Sequence, residues 1–168
     1  MNTPELAYIY LESPIGQLLV AGDEQHLHYI SFPSGKGTIT PHKNWHEDSA
    51  PFKEISNQLA AYFAGDLENF DIPMVLNGTD FQEEVWTALC DIPFGETISY
   101  GELARRIDRP KASRAVGAAN GANHLPIIIP CHRVIGANNS LTGFGGGIET
   151  KQYLLQHEQG EDPQLSLI

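Results

Sequence analysis

Residues 99–120 read SYGELARRIDRPKASRAVGAAN, and this segment determines the architecture expected for the C-terminal half of the chain. Ser99 is suited to cap a helix over 100–107, with a glutamate at the capping-box position. The Arg-Pro pair at 109–110 predicts a turn, and a second helix follows over 111–120. Two short helices joined by a tight turn are typical of a helix-turn-helix.

The second helix of this segment has unusually small side chains. Arg114 is its one long polar side chain near the middle, and its small neighbours are Ala112, Ser113, Ala115, Gly117, Ala118 and Ala119. A helix that reads base edges needs several long polar side chains. A sequence-specific transcription regulator stays open as an alternative, although this helix offers few side chains to read bases.

The segments before residue 80 alternate short apolar runs with turns. Runs over 6–11, 17–21 and 27–32 are rich in tyrosine, isoleucine, leucine and valine and predict antiparallel strands. Apolar residues at helical spacing predict a helix over 52–63. Residues 71–77 form a further candidate strand.

These patterns predict an α/β (α+β) fold in two domains, 1–78 and 79–168. The first combines a small antiparallel sheet with a helix. The second is mostly helical and contains a capped helix over 79–89, the helix-turn-helix and an active-site loop. A total of 168 residues suits one large domain or two small ones.

An apolar run over 125–130 leads directly into the sequence Cys-His-Arg-Val, which begins at Cys131. Prolines near both ends make this run stiff. A hairpin turn over 136–140, a glycine-rich loop over 143–147 and a last helix over 148–157 are expected to follow.

The chain is acidic, with 21 acidic residues, 10 basic residues and a formal net charge of −11. This balance excludes a protein that holds nucleic acid through an overall basic surface. Between residues 103 and 148, however, one aspartate is outnumbered by six basic residues: Arg105, Arg106, Arg109, Lys111, Arg114 and Arg133. DNA therefore remains a candidate partner for this part of the chain.

Two cysteines are too few for a disulfide framework, and no Cys or His pair has zinc-ligand spacing. No leader pattern and no apolar run of about 18 residues is present. We expect a cytoplasmic monomer with no membrane partner, no metal and no cofactor. Cys90 lies beside Trp86 on an amphipathic helix, which predicts core packing.

Cys131 is the sharpest candidate for chemistry. His132 and Arg133 follow it, and a positive neighbourhood favours the nucleophilic thiolate. A buried structural cysteine is the alternative, and composition alone does not decide between them. Adjacent side chains seldom face each other, so a water relay between Cys131 and His132 is the natural arrangement. A carboxylate would then orient the imidazole, but the sequence does not say which one.

Several segments together resemble the O6-alkylguanine-DNA alkyltransferases. Cys131 lies in the active-site signature, and the matching segments are 129–134 (IPCHRV), 97–104 (TISYGELA), 114–123 (RAVGAANGAN), 142–147 (TGFGGG) and 151–158 (KQYLLQHE). They occur in the family's order and spacing over about 79–160. Phe144 and His124 depart from the family, in which tyrosine and proline are common.

The resemblance implies a role for each matching residue. Cys131 would accept the alkyl group, His132 would act through a water as its base, and Glu158 would orient His132. Tyr100 would donate to guanine N3, and Asn123 would be the hinge before the active-site segment. The recognition helix would comprise Ala112, Ser113, Arg114, Ala115 and Gly117, with Arg114 replacing the flipped base, and the base pocket would comprise Pro126, Val134, Phe144 and Gly145.

The implied activity is direct-reversal repair of double-stranded DNA that contains O6-alkylguanine. The alkyl group would move irreversibly to Cys131 in a single turnover, after the lesion is flipped out of the helix. O4-alkylthymine is a second candidate substrate. Two further alternatives stay open: a lesion-binding relative that transfers nothing, and a cysteine hydrolase that turns over repeatedly.

Overall fold

A four-stranded sheet forms the N-terminal half of the computed structural model, which describes residues 5–136 and 144–161. Its strands are β1 (Ala7–Leu11), β2 (Leu18–Gly22), β3 (Leu27–Ser31) and β4 (His46–Glu47). The order across the sheet is β3-β2-β1-β4. β1, β2 and β3 pair antiparallel, as the three apolar runs predict.

Two features of this half differ from the sequence prediction. The short strand β4 pairs in parallel with the start of β1, so the sheet is mixed rather than wholly antiparallel. The strand predicted over 71–77 is wrong, because only Met74 bridges to Leu27. Pro73 has no N–H to donate, which limits a ladder at this point.

Helix α1 (Lys53–Phe63) belongs to the same half as the sheet and begins one residue later than predicted. Its buried residues Ile55, Leu59 and Tyr62 recur at helical spacing and therefore share one face. Gly65 follows the helix with a φ of 85°, a conformation that glycine adopts readily.

The described part of the C-terminal half contains four α-helices: α2 (Asp80–Leu89), α3 (Tyr100–Arg106), α4 (Ser113–Gly121) and α5 (Ile148–Glu158). Ser99 caps α3 by accepting the N–H of Glu102 at 3.0 Å. α3 and α4 lie against each other and form the helix-turn-helix. α4 begins two residues later than predicted, because the Ala112 N–H donates to the Arg109 carbonyl at 2.9 Å and closes a turn.

One hydrophobic core runs through both halves. It joins Val20 and Ile30 of the sheet to Trp86 of α2 and to Ile129 before the cysteine. The hairpin predicted over 136–140 and the start of the glycine loop fall largely outside the described residues. Within residues 5–136 and 144–161, no helix has the length and apolar character needed to cross a membrane.

Candidate active site

The apolar run before Cys131 is held rigidly at the junction of the two halves. Leu125, Ile127 and Ile129 are almost fully buried, and Cys131 itself is 4% exposed. Ile127 has a φ of 76°, which is unusual for a β-branched residue. Such a conformation persists only where the surrounding structure fixes it. The turn over Cys131–Arg133 follows directly.

A two-residue parallel pair connects the helix-turn-helix to this segment. β5 (Ile98–Ser99) pairs with β6 (Val134–Ile135). Tyr100 begins α3 immediately after β5, and Cys131 lies shortly before β6. The pairing therefore brings Tyr100 close to the cysteine segment, although nothing in the local sequence predicts these short strands.

A pocket opens onto Cys131. Pro126, Phe144 and Gly145 line it, as the resemblance implies, whereas Val134 is not part of its wall. The N-terminal half supplies residues that sequence reasoning missed: Ile30, Ser31, Phe32 and Gly37. The rings of Phe32 and Phe144 lie 5.5 Å apart, so the pocket is closed by side chains from both halves.

Two neighbouring glycines at this pocket have different steric demands. A Cβ atom at Gly145 would lie 3.6 Å from Gly37, an ordinary contact, so a small side chain fits there. A Cβ atom at Gly146 would lie 2.4 Å from the ring of Phe32, which is a clash. Glycine at position 146 therefore allows the loop to approach Phe32.

His132 and Glu158 are brought together, as the resemblance implies. His132 is fully buried, and its Nε2 lies 2.7 Å from Oε2 of Glu158. A carboxylate accepts only, so Nε2 carries the hydrogen and Nδ1 is left as an acceptor. Nδ1 is buried and has no hydrogen-bond partner within the described part of the chain. Burial lowers the pKa of His132 despite the nearby carboxylate, so the ring is a neutral base.

Glu158 accepts hydrogen bonds from two more side chains that the sequence analysis did not assign. Arg133 donates from Nε to Oε1 at 2.7 Å and from Nη2 to Oε2 at 3.1 Å. Tyr62, from α1, donates its hydroxyl to Oε2 at 2.6 Å. Burial alone would raise the pKa of Glu158, but hydrogen bonds from His132 and Arg133 and the charge of Arg133 hold that pKa far below its usual value.

The environment of Cys131 differs from the positive neighbourhood expected from sequence. Arg133 directs its charge to Glu158 and also donates to the Ile92 carbonyl at 2.7 Å. Burial raises the pKa of the Cys131 thiol to about 11, although Asn123 and Lys151 act in the opposite direction. The resting thiol is therefore protonated at neutral pH.

Two asparagines fix the backbone around the cysteine. Asn123 donates to the Ile129 carbonyl at 2.8 Å and accepts the Leu125 N–H at 2.9 Å, so it ties both ends of the apolar run. Asn120, at the end of α4, donates to the Cys131 carbonyl at 3.3 Å. A carbonyl oxygen has two lone pairs, so this contact leaves capacity for a ligand.

Lys151 is a buried cation that the sequence analysis left without a role. It is 0% exposed and donates from Nζ to the Val134 carbonyl at 2.6 Å. Its Nζ also lies 5.9 Å from the centre of the Tyr100 ring. Desolvation lowers the pKa of Lys151, while the neighbouring Cys131 opposes that change. In the sequence, only the position of Lys151 in the matching segment 151–158 indicates that it could belong to the site.

Helix α4 buries one face and exposes the other. Val116, Ala119 and Asn120 are buried, and the Ala119 carbonyl accepts from the indole of Trp86 at 2.8 Å. Arg114, Ala115 and Ala118 are exposed, while Ala112, Ser113 and Gly117 are partly exposed. The outer face is thus a narrow ridge of small side chains with one arginine.

The basic stretch is largely neutralised by neighbouring acids. Arg105 and Arg106 both pair with Glu102, at 2.9 and 3.3 Å, and Arg109 pairs with Glu84 at 3.2 Å. Arg133 is buried. Of the six basic residues between 103 and 148, Lys111 and Arg114 are the exposed ones for which the described residues show no ion pair.

Two histidines outside the site, His28 and His124, contact side chains of the N-terminal half. His28 contacts Asp23 at 2.9 Å, and His124 sets its ring 5.4 Å from Tyr29 and 5.5 Å from Trp86. The His124 ring therefore packs between aromatic side chains of both halves. Among residues 5–136 and 144–161, no group of three or more His, Cys, Asp or Glu side chains could hold a metal ion.

Two protein-family models match consecutive parts of this chain. Residues 6–76 match the 6-O-methylguanine DNA methyltransferase, ribonuclease-like domain. Residues 80–160 match the 6-O-methylguanine DNA methyltransferase, DNA binding domain. The second range contains the helix-turn-helix, Cys131, His132 and Glu158.

Individual relatives agree with these models. A methylated-DNA–protein-cysteine methyltransferase of Methanosarcina acetivorans is 53% identical over 151 residues, 90% of this chain and 97% of the relative. Its Mycobacterium tuberculosis counterpart is 49% identical over 157 residues, 93% of this chain and 94% of the relative. The crystal structure of M. tuberculosis OGT in complex with DNA has a TM-score of 0.89 and 46% identity, covering 96% of this chain and 99% of that one. The chain therefore belongs to the 6-O-methylguanine DNA methyltransferase family.

Proposed function

We propose that this protein repairs O6-alkylguanine in duplex DNA by moving the alkyl group irreversibly to its own Cys131. The observation that carries the proposal is the buried cysteine in the wall of a pocket that both halves line, next to a neutral His132 that is oriented by Glu158. A nucleophile, a base and an orienting carboxylate are the parts that such a reaction needs. Family membership makes the chain a methyltransferase and supports the same reaction class.

The first chemical task is to remove the thiol proton. Because the Cys131 pKa lies near 11, the thiolate is scarce at neutral pH. His132 Nδ1 is free to accept a proton, and a bridging water carries it from the sulfur. Glu158, itself ionised, then stabilises the imidazolium that forms.

The second task is the displacement itself. The sulfur attacks the alkyl carbon in line, the carbon–O6 bond breaks, and its electron pair leaves with guanine. The Tyr100 hydroxyl donates a hydrogen bond to guanine N3 and stabilises the departing base. Overall, the sulfur exchanges its proton for the alkyl group and guanine gains that proton. None of the described residues of the site offers a group suited to hydrolyse the resulting thioether, so each molecule reacts once.

Access to the lesion requires base flipping, since the target carbon lies inside a duplex. The small exposed face of α4 suits a minor groove about 6 Å wide. Arg114 projects from that face and fills the space left by the flipped nucleotide, as inserted side chains do in other minor-groove proteins. Contacts of this kind depend little on sequence, which suits repair.

A titration of repair yield against protein tests the function. With an excess of O6-methylguanine duplex, we expect repaired guanine to stop at one per protein molecule. A yield of zero with intact lesion binding would instead assign the lesion-binding function. Repeated turnover of an ester or amide at Cys131 would assign a cysteine hydrolase.

Replacing Arg114 with alanine tests the flipping role. We expect reaction with methylated duplex to slow by roughly 10- to 100-fold, because the few kcal/mol of unstacking is no longer compensated. Reaction with free O6-benzylguanine, which needs no flipping, should be nearly unchanged. Lys111→Ala is a matched control, since it removes a nearby exposed charge without removing the inserted side chain. Equal losses on duplex and free base would contradict the assignment.

A further inference from the structure

Tyr62 places the N-terminal half in direct contact with the proposed proton relay. It lies in α1, 96 residues before Glu158, and is fully buried. Its hydroxyl donates to Oε2 of Glu158 at 2.6 Å, the same oxygen that lies 2.7 Å from His132 Nε2. The Oε2 atom of Glu158 therefore accepts hydrogen bonds from both Tyr62 and His132.

The position of Tyr62 is fixed from several sides. His157 donates from Nε2 to the Tyr62 carbonyl at 2.7 Å, so α5 holds this residue at its backbone as well as at its hydroxyl. The Tyr62 ring also lies 5.3 Å from Phe70, 6.2 Å from Phe94 and 5.0 Å from His157. Burial raises the Tyr62 pKa far above its usual value, which keeps the hydroxyl a donor at every working pH.

The charged groups around His132 determine how the Tyr62 hydroxyl affects the Glu158–His132 pair. The titratable and charged side chains that face His132, Glu158 and Tyr62 are Cys131, Arg133, Lys151, Tyr153 and His157. Arg133 binds both oxygens of Glu158 and fixes the plane of the carboxylate. Tyr62 competes with His132 for electron density on Oε2, so the imidazolium is stabilised less than by an unshared carboxylate.

We propose that Tyr62 is a positioning residue of the alkyl-transfer reaction. Its hydroxyl shares Oε2 of Glu158 with His132 Nε2 and moderates the carboxylate, so that His132 rests neutral with Nδ1 empty. The proposal rests on the proposed function and adds that the relay is complete only when the N-terminal half is in place.

The test is Tyr62→Phe in the full chain, which keeps the packed ring and removes only the donor. We expect alkyl transfer at pH 7 to slow about tenfold, equivalent to about 1.4 kcal/mol, on methylated duplex and on free O6-benzylguanine alike. Because Glu158 would then stabilise imidazolium more strongly, the His132 pKa rises. The acid limb of the rate profile should therefore move up by about one pH unit.

Tyr10→Phe is the matched control, since Tyr10 belongs to the same half and is 44% exposed. Its rate and acid limb should equal those of the wild type. An unchanged rate and acid limb in Tyr62→Phe, with the wild type alkylated on Cys131, would overturn the inference and leave the proposed function intact. A slower rate with an unmoved acid limb would also overturn it, because packing alone would explain the loss. A wild type that transfers nothing would refute the proposed function itself.

Discussion

Cys131→Ser is expected to abolish alkyl transfer while the protein still binds lesion DNA. Loss of an enzyme's nucleophile typically costs on the order of 10⁶-fold in rate. A serine hydroxyl is a far weaker nucleophile than a thiolate, and its proton is harder to remove. The small change in volume should leave the cavity and α4 intact, so binding to O6-methylguanine duplex should persist.

The second cysteine provides the control for this substitution. Cys90 follows the last residue of α2 and is exposed, so the prediction that it packs in the core was wrong. Burial of its sulfur nevertheless raises the Cys90 pKa, and Sγ donates to the Trp86 carbonyl at 3.5 Å. Cys90→Ser should transfer the alkyl group at the wild-type rate. Residual transfer by Cys131→Ser would contradict the acceptor assignment.

Glu158→Gln is expected to cost both stability and activity. The carboxylate accepts from Arg133, His132 and Tyr62 at once. An amide would present an N–H₂ donor to one of them and leave the Arg133 charge without its counter-ion. Breaking a buried ion pair in this way costs about 3–5 kcal/mol. For a chain of this size the midpoint of thermal unfolding should fall on the order of 10 °C.

Activity of Glu158→Gln should fall by about 10²-fold or more, the scale of losing a positioned general base. The apparent thiol pKa in the alkylation profile should also rise, since imidazolium is no longer stabilised. Glu149→Gln, an exposed change at the other end of α5, is the control and should alter neither property. A variant with wild-type stability and an unchanged pH profile would remove Glu158 from the relay.

The depressed pKa of Glu158 also determines whether acid raises or lowers the free energy of unfolding. Its folded pKa lies below the ordinary value of 4.5, so its contribution is complete above that pH. The contribution is lost as pH falls from there toward the folded pKa. The free energy of unfolding of the wild type should therefore decline below about pH 5. The free energy of unfolding of Glu158→Gln should decline less steeply over the same range.

Local signals in the sequence predict much of this fold and site. Helix caps such as Ser99 and the apolar runs of the sheet identify elements, because each depends on residues close in the chain. The resemblance places Cys131, His132 and Glu158 in one set, and the last two lie within hydrogen-bond distance. Their catalytic roles remain a proposal.

Contacts between distant segments could not be predicted in the same way. Tyr62 meets Glu158 across 96 residues, and Phe32 reaches Phe144 from the other half. The burial of Arg133 against Glu158 cannot be predicted from neighbouring residues either. The prediction that its charge favours the Cys131 thiolate is therefore wrong. The pairing of Arg109 with Glu84 also joins distant segments, whereas Arg105 and Arg106 pair with Glu102 at the local spacing of one helix turn.

The most direct test of the central claim is the mass of the Cys131 peptide after incubation with O6-methylguanine duplex. We predict that this peptide gains one methyl group in exchange for one hydrogen, that the Cys90 peptide is unchanged, and that the DNA regains guanine. A Cys131 peptide of unmodified mass after the lesion has been bound would contradict the account.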